Sequence, residues 1–172
     1  MEHPQAYDTQ DHDVMQEDTA RMRAFAVAIE RAVPGRVVLD MGAGPDAVLA
    51  LCAARCGAAR VYAVEGNASA AAAAARLVRR KEESGELRRG VVHVVARVST
   101  DLDFADVPAG TVEVLVHELM GILASSEGVR HFVRGLRPFL APGCVSIPAS
   151  ACTLVAPGML PPLELLSAPS IR

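Results

Sequence analysis

An α/β fold built on a parallel sheet is predicted for this chain, and three observations predict it. Short, wholly apolar runs such as Val37-Val38-Leu39 recur along the sequence, as strands buried on both faces require. Stretches of helical periodicity separate these runs, so the strands are joined by crossovers rather than hairpins. A glycine turn, Gly42-Ala43-Gly44, follows the first run directly. The 172 residues, 51 % hydrophobic and 22 % charged, suit one domain with one sizeable core. A polar segment over 1–12, a globular domain over 13–155 and a Pro-rich tail or linker over 156–172 are expected.

Each element has its own signal. Asp13 and Gln16 form a capping box that opens a first helix. Met15, Met22, Phe25, Ala26, Ile29 and Val33 then recur near helical period until Pro34-Gly35 stops the run. Val37–Leu39 is strand one, and a second helix runs from near Ala47 to Cys56, ended by Gly57. Arg60–Val64 is strand two. Asn67 caps a third helix through the alanine run Ala70–Ala75 to about Glu83, because Ala has the highest helix propensity. Val91–Val95 is strand three and Thr111–Val116 strand four. Ser125 or Ser126 opens a helix carrying Val129, Phe132, Val133 and Leu136, halted by Pro138. Pro142-Gly143 is a turn before a fifth strand, Cys144–Ile147.

Composition excludes several classes. A net charge of −3 does not mark a nucleic-acid binder. No apolar stretch approaches the ~20 residues of a membrane span, and the acidic N-terminus lacks the apolar core of a signal peptide. Sixteen Arg against a single Lys, Lys81, together with abundant Ala, reflect a GC-rich genome. Cys52, Cys56, Cys144 and Cys152 are read as reduced, mostly buried thiols in a cytoplasmic protein. Without a CxxC or a His pair they do not make a zinc site.

Chemistry is expected at three places. Val37 to Gly44 is a strand that ends in an acid, Asp40, and enters a Gly-x-Gly turn; such a turn lets a ligand approach the backbone at a helix N-terminus. Glu65 ends the next strand, where a carboxylate can accept two hydrogen bonds from a ribose diol. Two cofactors fit that pocket. Gly42-x-Gly44-x-x-Ala47 with Glu65 matches a dinucleotide fingerprint, whereas Asp40 favours S-adenosylmethionine, whose ammonium suits an acidic turn. The second place is His117-Glu118-Leu119-Met120-Gly121 with Glu127. Two carboxylates converging on one loop are costly unless a cation lies between them, and a guanidinium offers a planar fork of donors. The third is the first helix, where Met15, Asp18 and Arg21 share a face below His12; the plain alternative is a core methionine and a surface ion pair.

In this order the three sites resemble the protein arginine methyltransferase family. Val38-Leu39-Asp40-Met41-Gly42-Ala43-Gly44 is similar to its first motif, and Val61 to Glu65 to the strand supplying its ribose-binding acid. Glu118-Leu119-Met120-Gly121, with Glu127 nine residues on, resembles its double-glutamate loop. His12-x-x-Met15-x-x-Asp18-x-x-Arg21 keeps the spacing of its N-terminal helix. The likeness runs from about Tyr7 to Pro148. It departs at Pro45-Asp46 in place of a third glycine, at His117 for a serine, at Ser99 for an acid and at Leu119 for an aromatic. Family members continue into a β-barrel with a Thr-His-Trp loop, while this chain has no Trp and stops at Arg172.

The resemblance implies a Rossmann-like class I methyltransferase fold, strand order 3-2-1-4-5, with an N-terminal helix over the cofactor. It implies methyl transfer from S-adenosylmethionine to a guanidino nitrogen, leaving S-adenosylhomocysteine. Arg21 would hold the cofactor carboxylate, with His12 and Met15 on the same helix; Asp40, Gly42 and Gly44 the turn; Glu65 the ribose; Val98 and Ser99 the adenine. Glu118 and Glu127 would orient the acceptor, an arginine in protein or a guanidino small molecule. A non-catalytic cofactor-binding module and an NAD-binding domain are the remaining alternatives.

Overall fold

The computed structural model of the chain describes residues 19–119 and 128–158. Helix α1 (Thr19–Ala32) leads into strand β1 (Val37–Met41), α2 (Val48–Arg55), β2 (Arg60–Val64), α3 (Ala68–Glu83) and β3 (Val92–Val95). A 3-10 turn (Ser99–Asp101) then precedes β4 (Val112–His117), α4 (Val129–Gly135), a second 3-10 turn (Arg137–Phe139) and β5 (Leu140–Ile147). The strands pair in parallel, in the order β3-β2-β1-β4-β5. This is the sheet order of the expected Rossmann-like fold, with β1 central and flanked on both sides.

Alternating side chains of the buried strands feed two cores. Val38, Val61, Ala63, Val114 and Val116 face the layer made by α1, α2 and α3. Phe25 and Ile29, one helical turn apart, anchor α1 there, and Val33 follows just beyond its end. Helix α3 packs through Ala71, Ala74 and Val78, small side chains that let the helix lie close to the sheet. Its N-terminus is capped as expected: Asn67 Oδ1 accepts from the backbone N–H of Ser69 (2.9 Å) and Ala70 (3.1 Å). On the opposite face Leu39, Met41, Tyr62, Val64 and Leu115 meet Val107, Leu136 and Phe139 from the β3–β4 connection and the segment after α4.

Four boundaries differ from the sequence reading. Strand β1 continues past Leu39, so Asp40 lies inside it, paired with Ala63 and Val116. Helix α4 starts at Val129 behind Gly128, whose φ of 76° only glycine takes without strain; Ser125 and Ser126 lie outside the described residues. Pro138 sits within the 3-10 turn rather than at the helix end. Pro142-Gly143 is not a turn before β5 but part of it. The pairing jumps from Val112↔Leu140 to Val114↔Val145, so the extra residues bulge out of an edge strand, where a missing proline N–H breaks no ladder. The capping box at Asp13 and Gln16 also lies outside the described residues.

Among the described residues no helix is long and apolar enough to cross a membrane. The four cysteines are free, but less buried than expected: Cys52, Cys56 and Cys144 are half-buried and Cys152 is exposed. Burial and the neighbouring Cys56 push the Cys52 thiol up to about 11, so it stays protonated.

Candidate active site

Register alone places the site. Met41 is level with Val64 on one side and with His117 on the other. Gly42, Glu65 and Glu118, each the next residue, therefore leave three adjacent parallel strands at one height, at the carboxyl edge where α/β sheets bind ligands.

Gly42 and Gly44 have φ of 77° and 67°, left-handed values that let the chain fold back on β2. The N–H groups of Gly42 and Ala43 both donate to the Val64 carbonyl, at 2.9 and 3.1 Å. Glu65, 8 % exposed, then fastens the turn from beneath. Its Oε2 accepts from the Gly44 N–H at 2.8 Å and its Oε1 from the Asn67 N–H at 2.7 Å. The turn is shaped by a carboxylate bonded to two backbone amides, an arrangement worth more than two neutral hydrogen bonds.

Asp40 behaves differently from the expected ligand contact. Its side chain is 2 % exposed, lies in the α2-facing layer near the Ala50 amide in the first turn of α2, and leaves Oδ2 buried without a hydrogen-bond partner. Burial pushes it up to about 7, with the Ala50 amide pulling it down and the Glu65 charge adding to the rise. It is buried beside the start of α2 rather than opening onto the cleft. The Pro45-Asp46 departure also has a structural counterpart: Ala47, just before α2, is in the left-handed region at φ 45°, ψ 42°. No other described non-glycine residue has a positive φ, and one that does is strained.

Two contacts were not anticipated. A Cβ on Gly42 would lie 3.2 Å from Leu119 Cδ2, and one on Gly66 would lie 3.2 Å from Val98 Cγ2. Leu119 thus rests on the glycine turn and Val98 on the residue after Glu65. Ser99, 6 % exposed, begins the 3-10 turn beyond Val98. A glycine directly behind a strand-end acid was the legible signal for Gly66.

Across the cleft, Arg21 Nη1 donates to Glu118 Oε1 at 2.9 Å, joining the start of α1 to the end of β4. The expected surface partner, Asp18, lies outside the described residues, as do His12, Met15, Met120, Gly121 and Glu127. His117, 5 % exposed, has Nε2 3.3 Å from Ser146 Oγ, and burial lowers its pKa. Among the described residues no cluster of His, Cys, Asp and Glu could hold a metal. A separate open cleft of about 520 Å³, lined by Arg60, Tyr62, His93 and Arg97, shares no residue with this site.

No family model matches the chain. Individual proteins do. An arginine N(omega)-methyltransferase of Streptomyces achromogenes subsp. streptozoticus is 36 % identical over 142 residues, covering 81 % of this chain and 38 % of that protein. Protein arginine N-methyltransferase 6 of Danio rerio is 31 % identical over 150 residues, covering 85 % and 40 %. The crystal structure of Arabidopsis thaliana protein arginine methyltransferase 10 superposes with a TM-score of 0.65 at 30 % identity, over 76 % of this chain and 36 % of that one. Over this shared stretch the chain matches proteins of the protein arginine N-methyltransferase family. It spans about two fifths of the length of these curated relatives. In this chain the glycine turn and Glu65 form one assembled unit, and Arg21 and Glu118 a second, bridged by Leu119.

Proposed function

We propose that the chain acts in methylating a guanidino nitrogen, with S-adenosylmethionine as donor, S-adenosylhomocysteine as product and an arginine side chain of a protein as acceptor. The observation that carries this reading is the Glu118 carboxylate. It stands beside the glycine turn and already holds a guanidinium, that of Arg21, at 2.9 Å.

The cofactor is tested by the turn. A dinucleotide pyrophosphate needs the turn's N–H groups, and here the Gly44 N–H is taken by Glu65 while the Gly42 and Ala43 N–H groups go to Val64. A cleft edged by the carboxylates of Glu65 and Glu118 favours a cationic ligand, which supports S-adenosylmethionine over NAD. When bound, S-adenosylmethionine supplies an electrophilic methyl group. Arg21 would hold its carboxylate, with His12 and Met15 on the same helical segment. Gly42 and Gly44 would allow close approach of the backbone, Glu65 would bind the ribose, and Val98 and Ser99 would contact the adenine. Asp40 would act indirectly, from its buried place beside α2 behind the turn.

Glu118 and Glu127 would orient the acceptor's guanidinium with one nitrogen towards the methyl group. Their charges would hold positive charge on the other nitrogens and leave the reacting one electron-rich. Positioning of this kind supplies up to roughly 7–11 kcal/mol of a barrier. Glu118→Gln should lower turnover of an arginine-containing peptide by roughly 100-fold or more, while affinity for S-adenosylhomocysteine is kept or strengthened. An unchanged rate would overturn the assignment.

A second reading, a guanidino small molecule as acceptor, is favoured by one relative's name, which gives arginine rather than protein arginine. Assaying peptides beside free guanidines separates the two. The four free thiols suit a cytoplasmic setting. A single domain over 13–155 with a Pro-rich segment after it is the organisation we infer, with neither nucleic acid nor membrane as partner.

A further inference from the structure

The Arg21–Glu118 pair has a consequence beyond site assignment. The two residues are 97 positions apart and contribute side chains 30 % and 21 % exposed, so the contact spans the cleft where it is partly shielded from water. In the proposed reaction the acceptor's guanidinium needs this same carboxylate. Arg21 is a guanidinium too, with the same planar fork of donors. Two such cations on one carboxylate repel each other, and shielding from solvent strengthens the repulsion. A competing anion, drawing Arg21 away from Glu118, relieves it.

We propose that Arg21 is a placeholder in the acceptor's seat, released when a carboxylate-bearing cofactor binds, so that cofactor and acceptor bind with positive coupling. The inference rests on the reading of Glu118 given above and adds a regulation to it. Cofactor binding turns Arg21 from a competitor of the acceptor into a ligand of the cofactor, and Glu118 is exposed to the acceptor only then. By linkage the acceptor must strengthen cofactor binding by the same factor. Such coupling keeps the acceptor from docking before a methyl donor is present.

The test is a titration of N-acetyl-L-arginine amide, a neutral-backbone guanidine, into the 172-residue chain with and without saturating S-adenosylhomocysteine. In the wild type S-adenosylhomocysteine should strengthen guanidine binding by roughly 5–150-fold. In Arg21→Ala the guanidine should bind more tightly than in the wild type when S-adenosylhomocysteine is absent, and the coupling should collapse towards one. Guanidine affinity in Arg21→Ala equal to or weaker than wild type, without S-adenosylhomocysteine, overturns the placeholder. A measurement without substitution guards against misfolding of the variant: the side-chain nitrogen resonances of Arg21 should shift when S-adenosylhomocysteine is added, and signals that do not move also overturn it. The underlying reading fails separately, if Glu118→Gln leaves guanidine binding with saturating S-adenosylhomocysteine unchanged.

Discussion

The two halves of the cleft are held together by different means. On the β1–β2 side, backbone amides do the work: Glu65 ties Gly44 to Asn67, and Val64 receives the N–H groups of Gly42 and Ala43. On the β4 side, a side-chain ion pair links two elements far apart in sequence. A backbone-fixed cradle suits a cofactor common to every turnover. A side-chain latch suits a seat that must be vacated, because a partly buried ion pair between two side chains can exchange one partner for another without moving the backbone.

Substitutions on the two sides should therefore fail differently. The largest effect falls on the latch side, where Glu118→Gln separates turnover, down by roughly 100-fold or more, from S-adenosylhomocysteine affinity, which holds or rises. On the cradle side, Glu65→Gln should do the reverse. Losing a charged acceptor from two amides should cost about 1.5–3 kcal/mol, seen as weaker S-adenosylhomocysteine binding in calorimetry. A cofactor affinity equal to wild type would mean that Glu65 is not part of the cradle.

Asp40 separates the buried support of the cradle from its open face. Its carboxyl sits at about 7 against an ordinary 3.8, so the folded chain prefers it protonated. That contribution is present in full at acid pH, is lost as pH rises from the unfolded value through about 7, and then levels off. Asp40→Asn should remove the dependence. Between pH 5 and pH 8 the variant should gain roughly 2–3 kcal/mol relative to wild type in urea unfolding, and parallel pH profiles would contradict the account. Gly42→Ala should be the mildest change. Its left-handed φ and the Leu119 methyl 3.2 Å away should cost about 1–2 kcal/mol, read as a lower Tm with only a modest loss of affinity.

The cradle was far more legible in the sequence than the latch. Strand runs such as Val37–Leu39 and Arg60–Val64, the Asn67 cap and the Gly42–Gly44 turn are local signals, fixed by residues within a few positions of one another. The interior location of Asp40 was not legible, because a strand-end acid and a strand-interior acid look alike until Ala50 and α2 are placed behind it. The course of β5 through Pro142-Gly143 also escaped, since a proline there is acceptable only because the strand lies at the sheet edge. The spacing of the first helix singled out Arg21, but no local pattern could pair it with Glu118.

The most direct measurement is a calorimetric titration of S-adenosylhomocysteine into the purified 172-residue chain, with folding checked by circular dichroism. One-to-one binding that is weakened in Glu65→Gln and kept or strengthened in Glu118→Gln is the predicted result. A folded chain that binds no S-adenosylhomocysteine would contradict it.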